Sequence, residues 1–185
     1  MHRRSLLRTL GSAALSLSAS TLLIASPAAA QLKVNEAAPD FTLQAAENGK
    51  VSTFALKSAL KKGPVVVYFY PKAFTSGCSI EAKMFADNIG AFKTAGASVV
   101  GVSTDDIKTL QDFSTKDCGG KFPVAADTKG TVAASYKVKN AMGMASRVTF
   151  VVTSNGKVAF VQGGSDPKTH INASLAFVQS LKAKR

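Results

Sequence analysis

Six consecutive apolar and aromatic residues, Val65-Val66-Val67-Tyr68-Phe69-Tyr70, run directly into Pro71, and a helix-patterned stretch opens at Cys78. A run this apolar, without alternation, suits a strand buried on both faces at the centre of a sheet. Pro71 ends such a strand by removing a ladder donor, and Gly77 is expected to allow a sharp bend just before the helix. The chain is thereby committed to a strand, loop and helix unit that delivers a cysteine to the first helical turn. Unpaired N–H groups and the positive end of the helix dipole favour negative charge on a sulfur placed there. Free cysteine is also a common small hydrophobe in protein cores. What points to chemistry is its company: Thr75 and Pro71 lie three and seven residues before Cys78, both in the loop, so that a hydroxyl and the sulfur face one small space.

The flanking patterns fill in the architecture. Phe41 to Gln44 and Val51 to Thr53 alternate around Asn48-Gly49, which reads as a hairpin. Ala55 to Leu60 is helical and closed by Gly63-Pro64, and Cys78 to Ala95 carries apolar residues at helical spacing, Ile80, Met84, Phe85, Ile89 and Phe92, which are assigned to the core. Ser98 to Ser103 predicts a second buried strand, Ile107 to Lys116 a second long helix and Phe122 to Ala125 a short strand. Asp127 or Thr128 is positioned to cap a helix ending near Tyr136. Val148 to Val152 and Val158 to Val161 flank Ser154-Asn155-Gly156 as a further hairpin, and Pro167 begins a last helix toward Lys182. This order implies an α/β domain, with a mixed central sheet covered by helices on both faces.

Residues 1 to 30 are of another kind. Arg3, Arg4 and Arg8 precede an uncharged stretch rich in Ala, Ser and Leu that finishes at Ala28-Ala29-Ala30, the pattern of a secretory signal cleaved after Ala30. Gly11, the five serines from Ser12 through Ser26, and Pro27 make it a poor membrane span. Arg3-Arg4-Ser5-Leu6-Leu7-Arg8 resembles a twin-arginine signal, with His2 where Ser or Thr is usual, so both export routes stay open. The expected location is the periplasm. The remaining 155 residues suffice for one domain with a sizeable core. Without the signal's three arginines the chain keeps 20 basic against 11 acidic side chains, a balance of +9. The lysines are scattered rather than interleaved with aromatics, which argues against nucleic acid and leaves at most a loose contact with an anionic membrane surface. His170 is the one histidine after the signal and is expected on the last helix facing water; with two cysteines it makes no metal cluster, and no cofactor is implied.

Pro71-x-x-x-Thr75-x-x-Cys78 resembles the active-site signature of the peroxiredoxins. Tyr68-Phe69-Tyr70-Pro71-Lys72 and Gly77-Cys78-Ser79-Ile80-Glu81-Ala82 are most similar to the Q-type, or bacterioferritin comigratory, group. The likeness extends through Ala38-Pro39-Asp40-Phe41, Val100 to Asp105, Phe122-Pro123, Arg147-Val148-Thr149-Phe150 and Asn155 to Val158. It implies a thioredoxin-like fold over residues 31 to 185, and a thiol peroxidase acting on hydrogen peroxide and organic hydroperoxides. Cys78 would be the nucleophile, oxidised to a sulfenic acid. By the same resemblance Arg147 would stabilise the thiolate and donate to the peroxide, Thr75 would hydrogen-bond the peroxide, the Cys78 N–H would point at its oxygens, and Pro71 would shield the sulfur. Glu81 and Lys72 are supporting candidates. Arg147 is the only arginine between the signal and Arg185, and a guanidinium suits the role because it donates in a fixed fork.

Regeneration is less determined. Many Q-type relatives carry a resolving cysteine five residues after the reactive one, where this chain has Lys83; the only other thiol is Cys118, followed by Gly119-Gly120. Cys118 is the candidate resolving residue if the glycines let the preceding helix swing. A one-cysteine cycle, an inert Cys118 and a permanent Cys78–Cys118 disulfide remain open. The implied reductant is a thioredoxin-like protein or a small thiol, and the expected state is a monomer. Two other classes stand beside the peroxidase: an exported thiol-disulfide oxidoreductase, which lacks its usual Cys-x-x-Cys here, and a non-enzymatic basic binding module.

Overall fold

The computed structural model describes residues 31–183; the expected signal and its cleavage point lie outside the described residues. The hairpin predicted around Asn48-Gly49 is β1 (Thr42–Glu47) and β2 (Lys50–Ala55), paired antiparallel from Thr42 with Ala55 to Glu47 with Lys50. Asn48 and Gly49 both have positive φ, as a tight two-residue turn requires. A short helix α1 (Leu56–Leu60) leads to β3 (Val65–Phe69), whose five residues are all buried, as their unbroken apolarity demands. Then follow α2 (Ser76–Thr94), β4 (Ser98–Ser103), α3 (Ile107–Lys116), β5 (Val124–Ala126), α4 (Thr131–Ser135), β6 (Val148–Val152), β7 (Val158–Gly163) and α5 (Pro167–Ala183).

One seven-stranded sheet runs in the order β2-β1-β5-β4-β3-β6-β7. β3 sits between β4, its parallel partner, and β6, its antiparallel one, so the strand that leads to Cys78 is flanked on both sides. Two cores form because alternate residues of each strand point to opposite faces. Val66, Tyr68 and Val151 pack with α2, α3 and α5; Val65, Val67, Phe69, Phe150 and Val152 pack with α1, α4 and Tyr136. Helices therefore cover both faces, and the expected α/β architecture is the one observed.

Four local expectations are corrected. Ile80, assigned to the core, is 53% exposed. At 3.6 residues per turn it lies roughly 200° around the helix from Cys78, and the buried stripe is Cys78, Glu81, Ala82, Phe85, Ala86 and Phe92. Gly77 makes no bend: it lies inside α2 without positive φ, and the left-handed residue of the loop is Phe74, at φ 62°. His170, expected to face water, is fully buried on a stripe with Ser174 and Val178. The N-cap position of α4 falls to Gly130, in a left-handed conformation, rather than to Asp127 or Thr128; from three residues before it the Asp127 carboxylate still accepts from the N–H groups of Thr131 and Ala133 at 2.9 and 2.8 Å.

Tyr68 reaches across to β4, where a Cβ on its cross-strand partner Gly101 would come within 2.7 Å of the phenol ring. Gly101→Ala is therefore predicted to overpack this face and lower stability by about 1–3 kcal/mol. Urea unfolding checks this: the midpoint falls while the denaturant slope is unchanged.

Candidate active site

The loop from Pro71 to Thr75 is fastened before the helix begins. The Ala73 N–H donates to Asp105 Oδ2 at 2.8 Å, and the buried Ser103 hydroxyl donates to the same oxygen at 2.8 Å. Phe74, left-handed and half in solvent, meets the Phe113 ring edge-on at 5.3 Å. Thr75 occupies the N-cap position of α2 but makes no side-chain cap; its hydroxyl donates to the Lys72 carbonyl at 2.9 Å. The first intrahelical bond here is Ser79 N–H to Thr75 O. The N–H groups of Ser76, Gly77 and Cys78 precede it in the helix and form the electropositive end.

Cys78, 2% exposed, lies in that first turn. Arg147, immediately before β6, extends its guanidinium so that Nη2 donates to Cys78 Sγ at 3.3 Å, while Nη1 is hydrogen-bonded and ion-paired to Glu81 Oε2. Gly77 eases that approach, because a Cβ there would lie 3.2 Å from Arg147 Nη2 and press the guanidinium back by a few tenths of an ångström. The sulfur is thus held between a helix N-terminus and a guanidinium, both of which favour an anion on it. Pro71 is half-buried at the strand exit, and Thr75 and Lys72 are exposed.

Glu81 is the residue that sequence reasoning rated too low. It sits three residues after Cys78 on the buried stripe, fully inaccessible, and a charged side chain on the core face of a helix was the available signal. Burial pushes its carboxyl up to about 8, opposed by Arg147. His170 was missed as well. Its Nδ1 lies 2.9 Å from the Thr149 hydroxyl and 4.0 Å from Glu81 Oε1, and its Nε2 lies 3.0 Å from the Gly164 carbonyl. Its position at the head of the i, i+4, i+8 stripe formed with Ser174 and Val178 was the legible sign.

Cys118 follows the C-cap of α3, is fully buried, and shares one core with Cys78, Tyr68, Tyr70 and Phe113. Both cysteines are free thiols, so a permanent disulfide is not what this structure contains. Burial raises the Cys118 thiol far above its ordinary value. The Ser79 hydroxyl donates to Asp117 Oδ2 at 3.0 Å, tying together the residues that follow Cys78 and precede Cys118.

A cysteine at the head of a helix, reached from the central strand of a mixed sheet and faced by a lone arginine, places the chain among thiol-centred proteins of thioredoxin-like fold. Residues 34–161 match the AhpC/TSA family model. Peroxiredoxin Q of rice (Oryza sativa subsp. japonica) is 36% identical over 159 residues, covering 78% of this chain and 66% of its own, and that of Sedum lineare is 37% identical over 147 residues, covering 78% and 76%. The chain therefore spans about two thirds of the rice protein's length. The crystal structure of peroxidoxin BcpB from Mycobacterium tuberculosis superposes with a TM-score of 0.73 at 33% identity, over 80% of this chain and 97% of that one. The chain belongs to the AhpC/TSA family and, within it, to the Q-type peroxiredoxins.

Because the folded Glu81 carboxyl binds its proton more tightly than the unfolded one, its contribution to stability is full below about pH 4.5 and is lost as pH rises through about 8. Stability measured by urea unfolding is predicted to fall across that window more steeply in the parent than in Glu81→Gln, by at most about 1.4 kcal/mol per pH unit.

Proposed function

We propose that this protein is a thiol peroxidase that reduces hydrogen peroxide and organic hydroperoxides at Cys78. The observation that carries the reading is the Arg147 guanidinium 3.3 Å from a buried sulfur at a helix N-terminus. Peroxide reduction by a thiolate is an in-line displacement. The Cys78 sulfur attacks one oxygen, the O–O bond breaks, and the departing oxygen takes up a proton to leave as water or alcohol; the sulfur is left as a sulfenic acid and the peroxide has been reduced by two electrons. Charge moves from sulfur to the leaving oxygen during the step. Donors fixed in place beforehand lower the barrier because they need no reorganisation. Arg147 Nη2, beside the sulfur, supplies one such donor, and the free N–H groups of the first turn of α2 supply more. Thr75, at the N-cap and exposed, is placed to bond the incoming peroxide once its hydroxyl leaves the Lys72 carbonyl.

In the same reading Cys118 resolves the sulfenic acid. Its thiol attacks Cys78 sulfur, water leaves, and a disulfide forms that a thioredoxin-like protein or small thiol reduces. Shared core membership and the Ser79–Asp117 tether support proximity, and Gly119 and Gly120, at φ 56° and 68°, supply a backbone joint beside Cys118. A thiol as buried as Cys118 has to move outward before it ionises, so resolution includes a local opening of the end of α3. Export to the periplasm is supported by the composition of residues 1 to 30, and a monomer is the working state of the proposed cycle.

Stopped-flow mixing of reduced protein with hydrogen peroxide tests the proposal. Cys78→Ser is expected to abolish the reaction, and Arg147→Ala to slow it by about 10²–10³-fold; a parent rate no faster than that of a free thiol refutes the function. Cys118→Ser is expected to keep the first oxidation but to accumulate sulfenic acid by mass analysis. An intramolecular disulfide is absent in that variant and present in the parent; a parent without it refutes the resolving role.

A further inference from the structure

Behind the reactive sulfur lies a chain of buried polar groups that the proposed cycle does not use. Arg147 divides one guanidinium between two partners, Nη2 to Cys78 and Nη1 to Glu81 Oε2. Glu81 Oε1 has no hydrogen-bond partner although it is buried, a costly state for a carboxylate oxygen. The nearest ring nitrogen is His170 Nδ1, at 4.0 Å. The Gly164 carbonyl can only accept, so Nε2 carries the imidazole proton; Nδ1 then presents a lone pair, shared at present with the Thr149 hydroxyl.

We propose that His170 is a positioning residue of the Cys78 centre: its Nδ1 lone pair accepts a proton held on Glu81 Oε1, which keeps Glu81 neutral and leaves the Arg147 charge to the sulfur. A rotation of the Glu81 carboxyl closes the gap. Charge balance is the physical reason. With an anionic sulfur, a guanidinium and two neutral side chains, the buried charges cancel; an ionised Glu81 would add an uncancelled negative charge and compete for Arg147. Around Glu81 the facing groups are Arg147, Cys78, His170 and the Tyr68 phenol; around His170 they are Arg147 and Asp166, the last exposed and engaged with Thr169. Burial and Arg147 hold the imidazole below its ordinary range, whereas burial lifts the carboxyl, so near neutrality the proton resides on Glu81.

The inference rests on Cys78 being the peroxide-reacting thiol, and the test separates the two. In a Cys118→Ser background, thiolate absorbance at 240 nm is followed from pH 5 to 9 together with single-turnover oxidation by hydrogen peroxide. His170→Gln keeps a donor for Gly164 but lacks the Nδ1 acceptor, while His170→Asn restores an acceptor at the Nδ1 position. His170→Gln is expected to move the thiolate curve up by about one pH unit and slow oxidation near pH 6.5 about tenfold, and His170→Asn to stay within about twofold of the parent. With Glu81→Gln already in place, His170→Gln is expected to add no shift, because a neutral side chain at 81 needs no proton acceptor. An unmoved curve in His170→Gln, or the same shift with Glu81→Gln present, overturns the role of His170. If His170→Gln does not fold, Thr149→Val, which frees Nδ1 from its competing donor, is expected to move the curve down; no movement overturns the proposal. A parent that oxidises no faster than a free thiol defeats the peroxidase reading instead.

Discussion

One guanidinium with two claimants, a sulfur and a buried carboxyl, organises this structure. Arg147 is the only arginine between Arg8 and Arg185, and it bridges Cys78 on the first turn of α2 to Glu81 one turn later. Because both partners lie on one helix and the arginine comes from the lead-in to β6, the bridge also couples α2 to the sheet. An unpaired charge in this position would be expensive to bury, which makes the three side chains a unit: removing any one leaves another without its counterpart.

The scaffold meets the demands of that unit at several points. β3, fully buried between two neighbours, fixes where the loop begins. Asp105 and Ser103, at the end of β4, fasten the loop from below. Gly77 omits the Cβ that would crowd Arg147, and Phe74 accepts a left-handed backbone so that the loop turns into the helix. Such a conformation in a non-glycine residue is uncommon and clusters at functional sites.

Much of this was legible in the residues. The six-residue apolar run marked the central strand, the Asn-Gly and Asn155-Gly156 turns marked both hairpins, and Pro167 marked the last helix within a residue. The pairing of Cys78 with Arg147 was legible through family resemblance, since nothing in composition brings together residues 69 positions apart. What stayed hidden were buried polar groups. Glu81 is of a type almost never fully buried unless paired and His170 of one intermediate in burial, and it is the tertiary arrangement, with Arg147 and Thr149 as partners, that makes their burial tolerable. Ile80 erred in the opposite sense: it satisfied helical spacing with Met84, but the sheet packs against the stripe through Cys78, Ala82 and Phe85.

The central claim is that this site favours the transfer of oxygen from peroxide to sulfur and does more than ionise a thiol. The direct measurement is a comparison, at one pH, of Cys78 rate constants toward hydrogen peroxide and toward iodoacetamide, in the parent and in Arg147→Lys. The account predicts a parent that strongly prefers peroxide, and a variant that loses most of that preference while its alkylation rate changes far less, because lysine keeps the charge but not the fork. A parent whose two rates stand in the ratio of an ordinary thiolate, or a variant in which both fall together, would contradict it.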